Sequence, residues 1–219
     1  MCFTGATIVV PTLNESDSLR RVFDQVRLHL GQGVEAIIVV VCEKTHPETL
    51  AICRFYEALF AGALRIHWQR QPGLGMALRE AFATTQSSHV MVVYSDGEAD
   101  PGTIPVLLER ARDQPNSIIS ASRWIEPGLF ENGGMAKRTL NLLAQRITAF
   151  AYKSDLTDFT FGYRIYPTWL VRRISWEEHN HAFVYESVLK PIRLGVKIVE
   201  VPTRWRLRDQ GISSWPLLG

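Results

Sequence analysis

Short runs of aliphatic residues alternate along the chain with segments whose apolar residues recur at helical spacing. The aliphatic runs predict strands, and most are apolar at every position, as strands are when helices cover both faces of a sheet. The predicted strands are 6–10, 36–41, 64–68, 89–94, 117–122 and 196–201. The amphipathic segments predict a helix that Ser16 can cap, and further helices at 49–61, 76–84, 104–112, 136–152 and 183–194. This alternation is typical of an α/β fold with a doubly wound, mostly parallel sheet and helices on both faces.

One predicted helix carries an unusually broad apolar stripe. Residues 136–152 place Leu140, Leu143, Ile147, Phe150 and Ala151 along one side. Such a stripe is found both in core helices and in helices that lie on membranes. Packing into the core is the favoured interpretation, and contact with a membrane is the alternative.

Composition favours an ordinary globular protein. With 46% hydrophobic and 21% charged residues the chain is not of a disordered type, and its 219 residues suit a single domain, 1–219. The net charge of +2 gives no indication of nucleic-acid binding. Three cysteines without paired or metal-ligand spacing favour a reducing compartment. Since no signal peptide or membrane-spanning run is visible, we expect a cytoplasmic protein, soluble or peripheral at the inner face of the membrane.

Polar loops follow four of the predicted strands, at the edge where parallel sheets bind ligands. They cover 11–15, 42–49, 71–75 and 94–101. The last loop is acidic, with Asp96, Glu98 and Asp100 directly after a buried strand. Carboxylates so placed suit Mg²⁺ or Mn²⁺ bridging a diphosphate. An acidic cap at a helix N-terminus is the alternative.

Several motifs occur along the chain in a familiar order and spacing. They are VVPTLNE (9–15), QPGLGMALR (71–79), YSDGEADP (94–101), ASR (121–123), DFTFGYR (158–164), GVKIVEVP (195–202) and RDQGIS (208–213). Together they resemble the family-2 glycosyltransferases of the GT-A fold, which is Rossmann-like, over residues 6–214. Within that family the dolichyl- and polyprenyl-phosphate sugar synthases are the most similar.

The resemblance implies a role for particular residues. Asp96, Asp158 and Arg123 would be catalytic, and Asp96 with Glu98 would hold Mg²⁺ or Mn²⁺. The nucleotide sugar would be bound by Pro11, Asn14, Glu15, Glu43, Gly75, Asp96 and Arg208. The acceptor or a phosphate would meet Arg138, Arg206 and Ser213. An ion pair within the fold is the alternative for Arg123, and a buried cap for Tyr163 or Arg164 is the alternative for Asp158.

The resemblance also implies a reaction. A sugar would move from a UDP- or GDP-linked donor by metal-assisted, inverting displacement. A polyprenyl phosphate acceptor, bound at a membrane surface, is already an anion and requires little help from a general base. If the acceptor were instead a sugar hydroxyl, Asp158 would become the base.

Two departures from the family pattern keep other functions open. Tyr94 stands where the family usually has the first acid of Asp-x-Asp, and Glu43 is the one acid in CEKTHP (42–47), where the family usually has Asp-Asp-Gly-Ser-x-Asp. A catalytically degenerate module that binds a nucleotide sugar or a lipid phosphate is therefore the alternative. A dinucleotide-dependent oxidoreductase is a weaker one, because Leu78 occupies the third glycine position of the turn at Gly73 and Gly75.

Overall fold

The protein is described by a computed structural model that covers residues 2–126 and 135–205, with the side chains of 135–137 left out. The elements in chain order are β1 (Ala6–Pro11), α1 (Asp17–Arg27), β2 (Val34–Val41), α2 (Pro47–Leu59), β3 (Leu64–Trp68), α3 (Leu74–Thr84), β4 (His89–Val92), α4 (Thr103–Asp113), β5 (Ile118–Ser122), α5 (Met135–Tyr152), β6 (Arg164–Pro167), α6 (Thr168–Arg173), α7 (Phe183–Arg193) and β7 (Ile198–Pro202). The predicted strands and helices are all present. Two short elements, β6 and α6, are additional. Ser16 occupies the N-cap position of α1, but its side chain makes no capping hydrogen bond.

All seven strands form one sheet in the order β3-β2-β1-β4-β6-β5-β7. Strand β6 is antiparallel to both of its neighbours, β4 and β5, and every other pair is parallel. The carboxyl ends of the other six strands therefore lie at one edge of the sheet. The start of β6 reaches the same edge, because Arg164 pairs with Val92 and Ser120.

Alternate residues of the central strands enter two separate hydrophobic cores. Ile8 of β1 packs in one core with residues of α1, α2 and α4, whereas Val9 packs in the other with residues of α3 and α7. Successive side chains of a strand point to opposite faces, so these cores lie on the two sides of the sheet. The prediction of a doubly wound, mostly parallel sheet covered on both faces is confirmed.

The predicted burial of the α5 stripe is wrong. Leu140, Leu143, Ile147 and Phe150 are 69%, 54%, 60% and 88% exposed. The opposite side of the helix faces the protein and carries Gln145, which is 3% exposed. Helix α5 thus turns a polar side chain inward and its large apolar side chains outward. Within the described residues no helix has the length and apolarity needed to cross a bilayer.

Candidate active site

The strand order reverses between the carboxyl ends of β1 and β4, and the crevice expected at such a reversal is the candidate site. In open α/β sheets this reversal is the usual ligand site, because the loops on either side diverge. Hydrogen bonds tie the loops around it together. The Ser95 hydroxyl donates to the Pro11 carbonyl at 3.2 Å, and the His46 amide donates to the Leu13 carbonyl at 2.7 Å. The loops that follow β1, β2 and β4 therefore form one connected rim.

Glu15 shapes the loop after β1. Its Oε2 accepts hydrogen bonds from the Thr12 hydroxyl at 2.9 Å and from the amides of Leu13 and Asn14 at 2.6 and 3.0 Å. A carboxylate with three donors from its own loop holds that loop in one conformation. Asn14 and Glu43, which follow β1 and β2, are exposed on the rim.

Gly75 is buried at the start of α3 beneath the segment 178–180. A Cβ on Gly75 would collide with the Glu178 carbonyl oxygen, and one on Gly73 would collide with the His179 carbonyl oxygen. The same His179 carbonyl accepts a hydrogen bond from the Met76 amide at 3.1 Å. Both glycines are therefore required by close backbone packing, a reason that the sequence motif does not reveal.

The three acids of the loop after β4 have different surroundings. Asp96 Oδ1 accepts from the Glu98 amide at 3.1 Å, so the Asp96 side chain folds back onto its own loop. Glu98 Oε2 accepts from the indole N–H of Trp205 at 3.0 Å. Asp100 Oδ1 accepts from the Gly102 amide at 2.9 Å, just before α4. Asp100 thus serves the turn that leads into α4, and Asp96 and Glu98 are the acidic pair that could hold a cation.

Tyr94 directs its hydroxyl at the segment that carries Gly162. Its hydroxyl lies against Gly162, where even a Cβ would collide with it. The hydroxyl is buried and makes no hydrogen bond in the part of the chain that the structure describes. Burial raises the pKa of Tyr94, and the neighbouring Tyr166 adds to this effect, so the phenol is neutral. Tyr94 fills space beside the Asp158–Arg164 segment and does not substitute for a metal-binding carboxylate.

The acidic pair fits a particular kind of cation site. Across residues 2–126 and 135–205, no three His, Cys, Asp or Glu side chains group as a metal-binding cage. Mg²⁺ is commonly held by one or two carboxylates together with phosphates and waters. Asp96 and Glu98 match that arrangement, which depends on a diphosphate to complete it.

Arg123, which follows β5, forms a two-point ion pair with Asp158. Its Nε lies 2.7 Å from Asp158 Oδ2 and its Nη2 lies 2.9 Å from Oδ1. The Asp158 side chain is 0% exposed and that of Arg123 is 10% exposed. The guanidinium also lies over the Phe161 ring, 4.7 Å from its centre. The ion-pair alternative for Arg123 is therefore what the structure shows.

Asp158 does not cap Tyr163 or Arg164, so that alternative is wrong. Arg164 is fully buried and instead donates to Ser120 Oγ, Val184 O, Ser187 Oγ and Phe159 O. These bonds fasten the start of β6 to β5 and α7. The carboxylate of Asp158 is enclosed by donors, which leaves it no path to a proton on an acceptor in this conformation.

The turn that carries Asp158 is held by side chains from two other elements. Glu200 of β7 accepts from the amides of Thr157 and Asp158 at 2.8 and 3.0 Å. Gln145 of α5 accepts from the amide of Phe159 at 2.8 Å. Sequence reasoning missed both side chains. For Gln145 the available signal was a glutamine on a helix whose other side is apolar. Using that signal requires knowing which side of α5 faces the protein.

Arg138 joins the same region. Its guanidinium lies over the Trp124 ring at 5.9 Å from the centre, and Trp124 adjoins Arg123 in the chain. Arg138, predicted to meet the acceptor or a phosphate, therefore packs on the residue that follows Arg123. Arg206, Arg208 and Ser213 lie outside the described residues.

Comparison with known proteins agrees with this geometry. The model of the family "Glycosyl transferase family 2" matches residues 7–175. The chain is 26% identical over 213 residues to undecaprenyl-phosphate mannosyltransferase of Micrococcus luteus, covering 94% of this chain and 85% of that protein. It is 26% identical over 216 residues to polyprenol monophosphomannose synthase of Mycolicibacterium smegmatis, covering 94% and 79%.

Solved structures show the same fold. Glucosyl-3-phosphoglycerate synthase from Mycobacterium tuberculosis, in complex with Mn²⁺, UDP and phosphoglyceric acid, superimposes with a TM-score of 0.71 at 18% identity, over 94% of this chain and 72% of that one. The fold is therefore that of the GT-A glycosyltransferases. The chain belongs to glycosyl transferase family 2 and is an enzyme of that family, so the prediction from its motifs is confirmed.

Proposed function

We propose that this enzyme transfers a hexosyl group from a UDP- or GDP-linked sugar to a polyprenyl phosphate at a membrane surface, with inversion at the anomeric carbon. The observation that carries the proposal is the enclosure of Asp158, which is 0% exposed and paired with Arg123, so it cannot act as the base that a hydroxyl acceptor would need. The relatives from Micrococcus luteus and Mycolicibacterium smegmatis, whose names specify polyprenyl acceptors, support the choice of acceptor.

The donor would lie in the crevice between β1 and β4. Asn14 and Glu43 are exposed on its rim and can meet the nucleoside, while Asp96 and Glu98 face the diphosphate. These two acids would hold Mg²⁺ or Mn²⁺, which when bound supplies positive charge to the leaving nucleoside diphosphate. The solved structure of the synthase contains Mn²⁺ and UDP, which supports the use of a divalent cation together with a nucleotide.

The acceptor phosphate would meet Arg123 and Arg138. A guanidinium suits a phosphate because its planar fork of donors matches two phosphate oxygens. Asp158 fixes the orientation of Arg123 and takes no proton. A phosphate acceptor is an anionic nucleophile at neutral pH, so an enclosed Asp158 suits it better than a sugar hydroxyl, which needs a base.

The exposed side of helix α5 supports the proposal that the reaction takes place at a lipid surface. Its exposed side carries Leu140, Leu143, Ile147 and Phe150, and its 18 residues include Lys and Arg but no Asp or Glu. Apolar side chains flanked by cations are what an anionic lipid interface binds. The opposite side of α5 contacts the Asp158 turn, so a bound surface would lie next to the proposed acceptor site.

We expect the double substitution Ile147→Ser and Phe150→Ser to weaken binding to vesicles of anionic phospholipid by about tenfold or more. Burying each apolar side chain is worth roughly 1.5 to 3 kcal/mol when complete, so partial burial of two suffices. Co-sedimentation measures the effect. The matched control is Phe55→Ser, because Phe55 is 58% exposed on α2, away from this surface. Equal loss in the control, or no loss in the α5 variant, would contradict the assignment.

A panel of nucleotide sugars tests the proposed function. UDP- and GDP-linked hexoses are each incubated with the enzyme and Mn²⁺ or Mg²⁺, and release of nucleoside diphosphate is measured with and without undecaprenyl phosphate. One donor should give release that depends on the lipid phosphate. Release that is independent of it, or stimulated only by a soluble sugar, would refute the acceptor.

A further inference from the structure

Among the described side chains of α5, Gln145 is the most deeply buried polar one. It is 3% exposed and lies on the side of the helix opposite Leu143 and Ile147. An amide costs free energy to bury unless its donors and acceptor are all bonded. A glutamine that only filled this position would therefore be less favourable than a leucine or methionine.

The Gln145 amide is bonded at both ends. Its Oε1 accepts from the Phe159 amide at 2.8 Å, and its Nε2 donates to Thr160 Oγ1 at 2.8 Å and to Asn141 Oδ1 at 3.1 Å. The backbone N–H of Phe159 can only donate, which fixes the oxygen of Gln145 on that side. The NH₂ group is consequently directed at Thr160.

Thr160 passes this contact on to Arg123. Its Oγ1 accepts from Arg123 Nη2 at 2.7 Å and donates to Asp158 Oδ1 at 3.1 Å. A hydroxyl has one proton and two lone pairs, so the bonds to Arg123, Asp158 and Gln145 use all of its capacity. Two hydrogen bonds, which meet at Thr160, therefore connect Gln145 to the Arg123 guanidinium.

We propose that Gln145 is a positioning residue for Arg123 and sets the direction in which its guanidinium meets the acceptor phosphate. The inference rests on the proposed function, because it requires that Arg123 bind that phosphate. Asp158 fixes the guanidinium at two nitrogens, and Thr160, held by Gln145, adds a further point. Small misplacements of a phosphate-binding group cost affinity out of proportion to the distance moved.

The first test is Gln145→Met, which keeps the volume and removes the amide. With undecaprenyl phosphate and the donor identified by the panel, the acceptor KM should rise about tenfold, while kcat stays within about twofold and the donor KM is unchanged. The matched control is Thr148→Val. Thr148 lies on the same helix, and among the described residues its hydroxyl donates only to the Ala144 carbonyl, one helical turn earlier. A folded Gln145→Met variant with an unchanged acceptor KM overturns the proposal.

The second test is Gln145→Glu, followed against pH. A protonated glutamic acid accepts from the Phe159 amide and donates to Thr160 as glutamine does, whereas the ionised form cannot donate. Burial and the nearby Asp158 raise the pKa of such a group and the Arg123 guanidinium lowers it, so the acceptor KM relative to wild type should rise as the pH is increased from about 4 to about 9. A ratio that does not change with pH overturns the proposal, even if Gln145→Met fails to fold.

The wild-type reaction separates the two levels of inference. If wild type transfers sugar to undecaprenyl phosphate and both Gln145 variants match it, the positioning role alone is wrong. If wild type transfers nothing to that lipid, the proposed function is wrong and the role of Gln145 is overturned with it.

Discussion

Asp96→Asn is expected to reduce glycosyl transfer about a thousandfold or more. Asp96 and Glu98 lie in the loop that follows β4, and Glu98 is also engaged by the Trp205 indole. Removing the charge of Asp96 leaves little to hold a cation against the leaving diphosphate, where electrostatic stabilisation makes its largest contribution. The measurement is initial rate at saturating Mn²⁺, together with Mn²⁺ titration with and without nucleoside diphosphate.

Tyr94→Phe is the matched control for Asp96→Asn. The Tyr94 hydroxyl is buried against Gly162 without a hydrogen bond in the described ranges, so its removal should change activity by less than about threefold and should not lower stability. For wild type we expect Mn²⁺ to bind weakly alone and more tightly with nucleoside diphosphate. An Asp96→Asn enzyme that binds Mn²⁺ and turns over like wild type would show that the cation site is elsewhere.

Arg123→Ala is expected to lower the free energy of unfolding by about 3 to 5 kcal/mol, in addition to impairing the reaction. The position of Arg123 in a loop at a strand end predicts a variant that folds normally, and the structure corrects this. Without Arg123 the fully buried carboxylate of Asp158 has no cation beside it. Urea unfolding of Arg123→Ala, Asp158→Ala and the double variant gives the coupling energy directly.

Arg138→Ala is the control for this stability effect. Arg138 is partly exposed and lies over the Trp124 ring, so its loss should cost about 1 kcal/mol or less in stability while still weakening use of the acceptor. The double variant Arg123→Ala with Asp158→Ala should recover part of the stability lost in Arg123→Ala, because no buried charge remains. Additive losses in the double variant would contradict a coupled pair.

The sheet could be predicted from the sequence because its signals are local. The strand predicted at 64–68 coincides with β3, and the aliphatic run at 36–41 lies within β2. Strand β6 was missed because its sequence, RIYP, is bounded by an arginine and a proline and contains no aliphatic run. Helix α6 has 6 residues, fewer than two turns, which is too short to show a helical period. The antiparallel insertion of β6 between β4 and β5 depends on long-range pairing that no local pattern encodes.

The site could be predicted only as a set of loops. Motifs identified the acidic loop and Arg123, but not that Arg123 and Asp158 bond to each other or that Tyr94 turns toward Gly162. Those relations depend on how distant segments pack. The α5 stripe was assigned to the core because an amphipathic pattern gives the phase of a helix and not which side faces the protein. In the structure, the side of α5 that faces the protein is the one that carries the buried Gln145.

Recovery of the glycosylated lipid tests the central claim most directly. Enzyme, the radiolabelled nucleotide sugar selected by the panel, Mn²⁺ and undecaprenyl phosphate are incubated, and the label is followed into the organic phase. The account predicts one labelled glycosyl polyprenyl phosphate with inverted anomeric configuration, formed in proportion to the nucleoside diphosphate released and lost in Asp96→Asn. Release of nucleoside diphosphate by wild type with no label in the lipid, or a product of retained configuration, would contradict it.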